Sequence, residues 1–166
     1  MGEFEDRARE AAHKLVVTAT ACGATVATAE SCTAGLVAST IASVPGASDV
    51  LRGGAVTYVD EIKNRLLGVS SETLERYTAV SSPCAREMAE GARALFQVSA
   101  AVSVTGYAGP GGGTAEDPVG TVYFGISTAS GAETYRKVFA GSRDEVRWQA
   151  AAFALELLCG ACDGLM

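Results

Sequence analysis

ATVATAESCTAG, residues 24–35, decides the reading of this chain. Ala24 to Ala29 alternates small and β-branched residues over the length of one short strand. It runs through Glu30-Ser31-Cys32-Thr33 into a small-residue helix, Ala34 to Val44, which Pro45-Gly46 ends. A strand that hands over to a helix in so few residues is the unit of layered α/β proteins. Such proteins bind ligands at the carboxyl edge of their sheet.

Working outward, Glu5 to Cys22 predicts a leading helix with Ala8, Ala12, Leu15, Val16 and Ala19 on one stripe. Leu51 to Tyr58 predicts a second strand whose glycines imply close backbone approach. Asp60 to Leu67 predicts a short helix stopped at Gly68, and Ser71 to Tyr77 another. Ser82 to Gln97, with Pro83 in its first turn, is the most regular helix. Ala100 to Thr105 predicts a buried strand, Gly106 to Pro118 a long loop, and Val119 to Ser127 with Glu133 to Phe139 a hairpin. Ser142-Arg143-Asp144-Glu145 caps a last helix that is expected to end near Cys159. The expected fold is α/β, one layered domain spanning residues 1–166, with a mixed sheet flanked by helices.

The 166 residues carry a net charge of −6, with ten arginines and three lysines. That balance argues against a nucleic-acid partner, whose phosphates call for clustered Lys and Arg. No apolar run approaches the ~20 residues of a membrane span. The first ten residues are too acidic for a signal peptide, so a cytoplasmic protein without membrane association is expected. Five cysteines without an export signal read as reduced thiols. Cys159-Gly-Ala-Cys162 lacks the further ligands a zinc site needs, so no metal is expected, and its thiols are placed on a fraying helix end.

Ser31 is the candidate nucleophile. At a strand-to-helix junction, free N–H groups of the helix start could hold an oxyanion; a simple helix-capping role is the competing reading. The single histidine, His13, is remote in sequence, so a base for Ser31 would be a lysine or a carboxylate. Tyr58 and Lys63 stand at a strand end and a helix start that can converge on the same edge. A desolvated lysine can act as a base. Cys32 is a rival nucleophile, because a helix N-terminus favours the thiolate. The loop Thr105 to Thr114 offers glycines around which an anion could be cradled. Its Gly106-x-x-Gly109-x-x-Gly112 pattern does not have the order or context of a dinucleotide fingerprint.

Taken together, TAESCTAGLVAS (28–39), GGAVTYVDEIKNRLLGV (53–69), AVSSPCAREMAEGA (79–92), VTGYAGPGGGTAEDPVGTVYFG (104–125) and GSRDEVRWQAAAFAL (141–155) resemble the CinA C-terminal domain family. The family includes stand-alone nicotinamide-nucleotide amidohydrolases. The resemblance implies deamidation of nicotinamide mononucleotide to nicotinic acid mononucleotide and ammonia, without a cofactor. It places the nucleophile on Ser31 and its activating partners on Tyr58 and Lys63. Substrate contacts are expected from Cys32, Thr33, Thr105, Gly106, Gly109, Gly111, Gly112 and Thr114. Arg143 and Arg147 either hold a phosphate or pair with acidic neighbours. The family's N-terminal nucleotide-pyrophosphatase domain is not expected, and a homo-oligomer is implied. A non-catalytic nucleotide-binding protein and a serine amidase for another small amide are the alternatives.

Overall fold

A computed structural model describes residues 2–165. The chain order is α1 (Gly2–Cys22), β1 (Val26–Glu30), α2 (Leu36–Ala42), β2 (Leu51–Val56), α3 (Asp60–Leu67), α4 (Ser71–Tyr77), α5 (Ser82–Phe96), β3 (Ala100–Gly106), β4 (Thr121–Thr128), β5 (Gly131–Val138) and α6 (Arg143–Asp163), with a single 3-10 turn at Ala47–Asp49. The five strands form one sheet in the order β2-β1-β3-β4-β5. β1 runs parallel to both β2 and β3, and β4 and β5 follow antiparallel, so the expected mixed sheet is what forms.

Alternation along the strands sorts side chains onto two covered faces. Val26, Val102, Val104 and Phe124 join α1, α2 and α6 in one core. Ala27, Ala29 and Ala101 join α3 and α5 in the other. The second face is lined by alanine, and glycine extends it on the neighbouring strands. This brings α5 down onto the sheet, where the Ser103 hydroxyl donates to the Ala85 carbonyl. Gly91 of α5 lies directly under the Leu67 carbonyl of α3, a spot with no room for a Cβ.

The connection through α2 carries the chain from β1 to β2 on one side, while β3 lies on the other. β1 is therefore the strand at which the sheet order reverses, and its carboxyl end opens the crevice where α/β folds place ligands. Ser31 is the first residue beyond it.

Two expectations need correction. The last helix continues past Cys159 to Asp163, and Cys159 and Cys162 are buried rather than frayed. Spaced three apart, they share one helical face that packs toward α1, with Cys22 Sγ 3.8 Å from the Cys162 carbonyl oxygen. Ser31 is not the cap of α2 either. Gly35 holds that position, and the helix starts five residues beyond the serine.

Candidate active site

The turn between β1 and α2 is shaped by a residue that the sequence reading passed over. Glu30 is 1% exposed, and its carboxylate accepts from the N–H groups of Gly35 (2.9 Å), Val37 (3.1 Å) and Ala38 (2.9 Å) and from the Thr28 hydroxyl (3.1 Å). A buried anion at a helix N-terminus is favoured by both the free donors and the helix dipole. The same bonds remove those donors from any catalytic use, so the helix-start oxyanion site expected from the sequence is already filled. A carboxylate before a small-residue helix was the available signal.

With Glu30 as anchor, residues 31–35 fold into a tight turn, in which Ala34 N–H donates to Ser31 O and Leu36 N–H to Thr33 O. Ser31 N–H donates to Val104 O on β3. Among the described residues no other residue offers an acceptor to the N–H groups of Cys32 and Thr33, and the Cys32 N–H lies beside its own thiol. From α6, Arg147 donates to the carbonyls of Cys32 (3.2 Å) and Thr33 (3.0 Å) and lies 3.5 Å from Asp144. Its guanidinium is thus committed to the turn and to an acidic neighbour rather than to a cavity.

Lys63, on the first turns of α3, is 1% exposed. Its Nζ lies 3.3 Å from Ser31 Oγ, 3.5 Å from Tyr58 O and 3.8 Å from Asp60 Oδ1. Burial lowers the Lys63 pKa, against the opposing pull of Cys84, Asp60 and Cys32. Two residues 32 apart in sequence therefore meet in a largely dry setting. The Tyr58 phenol does not reach the amine. It is exposed and accepts from Arg143 Nη2 at 2.9 Å, while only the main-chain oxygen of Tyr58 faces Lys63. The activating role that the resemblance implies for Tyr58 is therefore not met by a direct contact of its phenol with Lys63.

Cys32 is buried among core residues, and its thiol is pushed up to about 11 by burial. Such a thiol stays protonated near neutral pH, and the helix donors that would have favoured its thiolate are held by Glu30. Cys84, buried on α5, is likewise pushed up to about 12. His13 is exposed on α1.

Ser31, Cys32, Tyr58, Lys63, Thr105, Gly106 and Arg143 line one crevice of about 200 Å3, together with Asp60, Ala79, Val80, Tyr107 and Ala108. The last five were not expected as site residues. Arg143 also donates to Gly109 O at 2.6 Å, which ties the loop to α6. Thr33, within the turn, is buried and outside the crevice lining. Gly111 and Gly112 are exposed and stand outside the crevice. Thr114 accepts from Asp117 N–H and faces a neighbouring cavity across Tyr107. The glycine loop therefore does not wrap the crevice as an anion cradle: its turn is closed on itself by Thr114 N–H to Asp117 O. Among the described residues no group of three or more His, Cys, Asp or Glu side chains is placed to hold a metal, and no helix is long and apolar enough to cross a membrane.

A parallel strand-turn-helix unit with serine and buried lysine at the sheet's switch point defines an α/β protein with a serine–lysine pair in a crevice at the sheet edge. Residues 8–162 match the family described as the CinA C-terminal domain. The chain belongs to that family. It is 52% identical over 138 residues to a CinA-like protein of Myxococcus xanthus, covering 82% of this chain and 32% of that protein. It thus spans about a third of such longer relatives. It is 50% identical over 137 residues to the nicotinamide-nucleotide amidohydrolase PncC of Escherichia coli, covering 82% of this chain and 83% of that protein. The crystal structure of the competence/damage inducible protein CihA from Agrobacterium tumefaciens superposes with a TM-score of 0.91 at 39% identity, covering 93% of this chain and 95% of that one.

Proposed function

We propose that this chain hydrolyses the carboxamide of nicotinamide mononucleotide, releasing ammonia and nicotinic acid mononucleotide. The observation that carries the reading is the 3.3 Å approach of Lys63 Nζ to Ser31 Oγ within the crevice. The similarity to a relative named for nicotinamide-nucleotide hydrolysis supports the choice of amide.

Lys63, whose ammonium form is disfavoured by burial, takes the Ser31 proton in its neutral form as Oγ attacks the carboxamide carbon. The N–H of Cys32, which follows the nucleophile in the chain and lines the crevice, is the donor left to stabilise the oxyanion. Collapse of the adduct breaks the C–N bond, and the lysine ammonium returns its proton so that ammonia leaves. Water, deprotonated by the same amine, then cleaves the Ser31 ester to the carboxylate. Arg143, on the crevice wall, holds the substrate phosphate, and Arg147 positions the turn from behind.

Ammonia release from nicotinamide mononucleotide tests this directly. Ser31→Ala and Lys63→Ala should each lower turnover by about 10³-fold or more. Turnover that survives Ser31→Ala overturns the assignment of the nucleophile. Binding by the native chain without ammonia release overturns the catalytic reading.

A further inference from the structure

The crevice carries charge that serine–lysine chemistry alone does not require. Asp60 lines it, with a side chain 59% exposed and Oδ1 3.8 Å from Lys63 Nζ. Among the described residues it is the one carboxylate in the lining. Tyr107, an aromatic residue, is also in the lining. Its ring is seated by Gly112, where a Cβ would come within 3.1 Å of it, and its backbone is pinned by Tyr107 N–H to Thr121 O and Gly120 N–H to Tyr107 O.

Lys63 is faced by groups from several elements. Ser31 and Cys32 come from the turn after β1, Tyr58 O from the end of β2, Asp60 from α3 itself and Cys84 from α5. Arg143 from α6 is engaged with the Tyr58 phenol and Gly109. Both cysteines are kept protonated by burial. Once Lys63 is the neutral base that the proposed reaction needs, Asp60 is a carboxylate without an ion-pair partner among the described residues. An anion and an aromatic residue lining the same small space favour a cation beside them.

We propose that Asp60 and Tyr107 select an amide carried on a positively charged aromatic ring, and that Asp60 passes from the Lys63 ammonium to that ring as substrate enters. This rests on the amidohydrolase reading, and it explains more than the amide does. Oxidised nicotinamide mononucleotide has a cationic pyridinium and an anionic phosphate, which match Asp60 with Tyr107 and Arg143 respectively. A cation beside Lys63 also opposes protonation of the amine, so binding of substrate itself helps to generate the base.

The test compares oxidised nicotinamide mononucleotide with its reduced 1,4-dihydro form, which keeps the carboxamide and phosphate but has an uncharged ring. In the Ser31→Ala background, dissociation constants of both are measured by calorimetry. Asp60→Asn and Tyr107→Leu should each weaken the oxidised form by roughly tenfold while leaving the reduced form within about twofold, with Tyr107→Phe close to the parent. Retained binding of the reduced form also reports that each variant is folded. In the active chain, the acid limb of kcat should lie at lower pH than that of kcat/KM, because the first reports the complex and the second the free enzyme. Equal affinity for the two forms, or equal weakening of both by Asp60→Asn, overturns the proposal and leaves the amidohydrolase reading standing. Failure of the parent to bind either mononucleotide overturns both.

Discussion

Arg147 donates through Nη2 to the main-chain oxygen of Thr33 at 3.0 Å, joining positions 114 residues apart in sequence. Its Nε donates to the preceding carbonyl of Cys32, so one guanidinium grips two successive peptide units just beyond Ser31. Together with the Glu30 carboxylate on the other side of the turn, this contact sets where the serine and its neighbouring N–H groups point.

Arg147→Met should therefore reduce kcat rather than binding. A displacement of about 1 Å in a catalytic group costs on the order of 10²-fold in rate, and KM should stay within about threefold. Steady-state kinetics with nicotinamide mononucleotide check the split. A rise in KM that vanishes for a substrate lacking phosphate would instead make Arg147 a phosphate ligand.

Glu30→Gln keeps the volume but turns one acceptor oxygen into a donor facing N–H groups that have no water to turn to. Buried donors left without acceptors cost about 1–3 kcal/mol, and urea unfolding should show a loss of roughly that size with an unchanged slope. Thermal unfolding should follow. Stability equal to that of the parent would mean that the turn is held by Arg147 alone.

Lys63 links activity to pH and to stability. Its folded pKa is lowered by burial, while in the unfolded chain the amine returns to about 10.4. Between those two values the unfolded state binds more protons, so stability rises with pH through that window. Below the folded value the cost of burying the ammonium is present in full. Turnover should rise over the lower part of the same range as the base form appears. Asp60→Asn removes an opposing negative charge and should move the rise to lower pH. Lys63→Met should abolish turnover yet raise stability near neutral pH by about 1–2 kcal/mol, with most of the pH slope gone. Denaturation midpoints across the alkaline range measure it.

Much of the architecture can be read locally. Asp60 to Leu67 ends where Gly68 takes up the left-handed conformation, and Ser142 with Glu145 forms a reciprocal cap at the start of α6. These signals lie within a few residues of the structure they specify. The end of α6 is different. Gly160 weakens the helix intrinsically, but packing of Cys159 and Cys162 against α1 carries it on to Asp163. The site divides in the same way. Ser31, Lys63 and Arg143 are legible by residue type and by their place at strand ends and helix starts. Asp60 and Tyr107 become site residues only through the crevice that they line.

Side-chain chemistry and the order of helices and strands are written along the chain, because capping, periodicity and turn preference act over short range. Which donors stay free is a matter of three-dimensional competition. Glu30 takes the helix-start N–H groups, Arg147 arrives from α6 to hold two carbonyls, and Tyr58 turns its phenol to Arg143 instead of Lys63. The last two outcomes depend on partners that folding brings from distant segments, whereas the Glu30 contacts reach only five to eight residues along the chain. Most hydrogen-bonding groups shielded from water find a partner wherever it lies in the sequence.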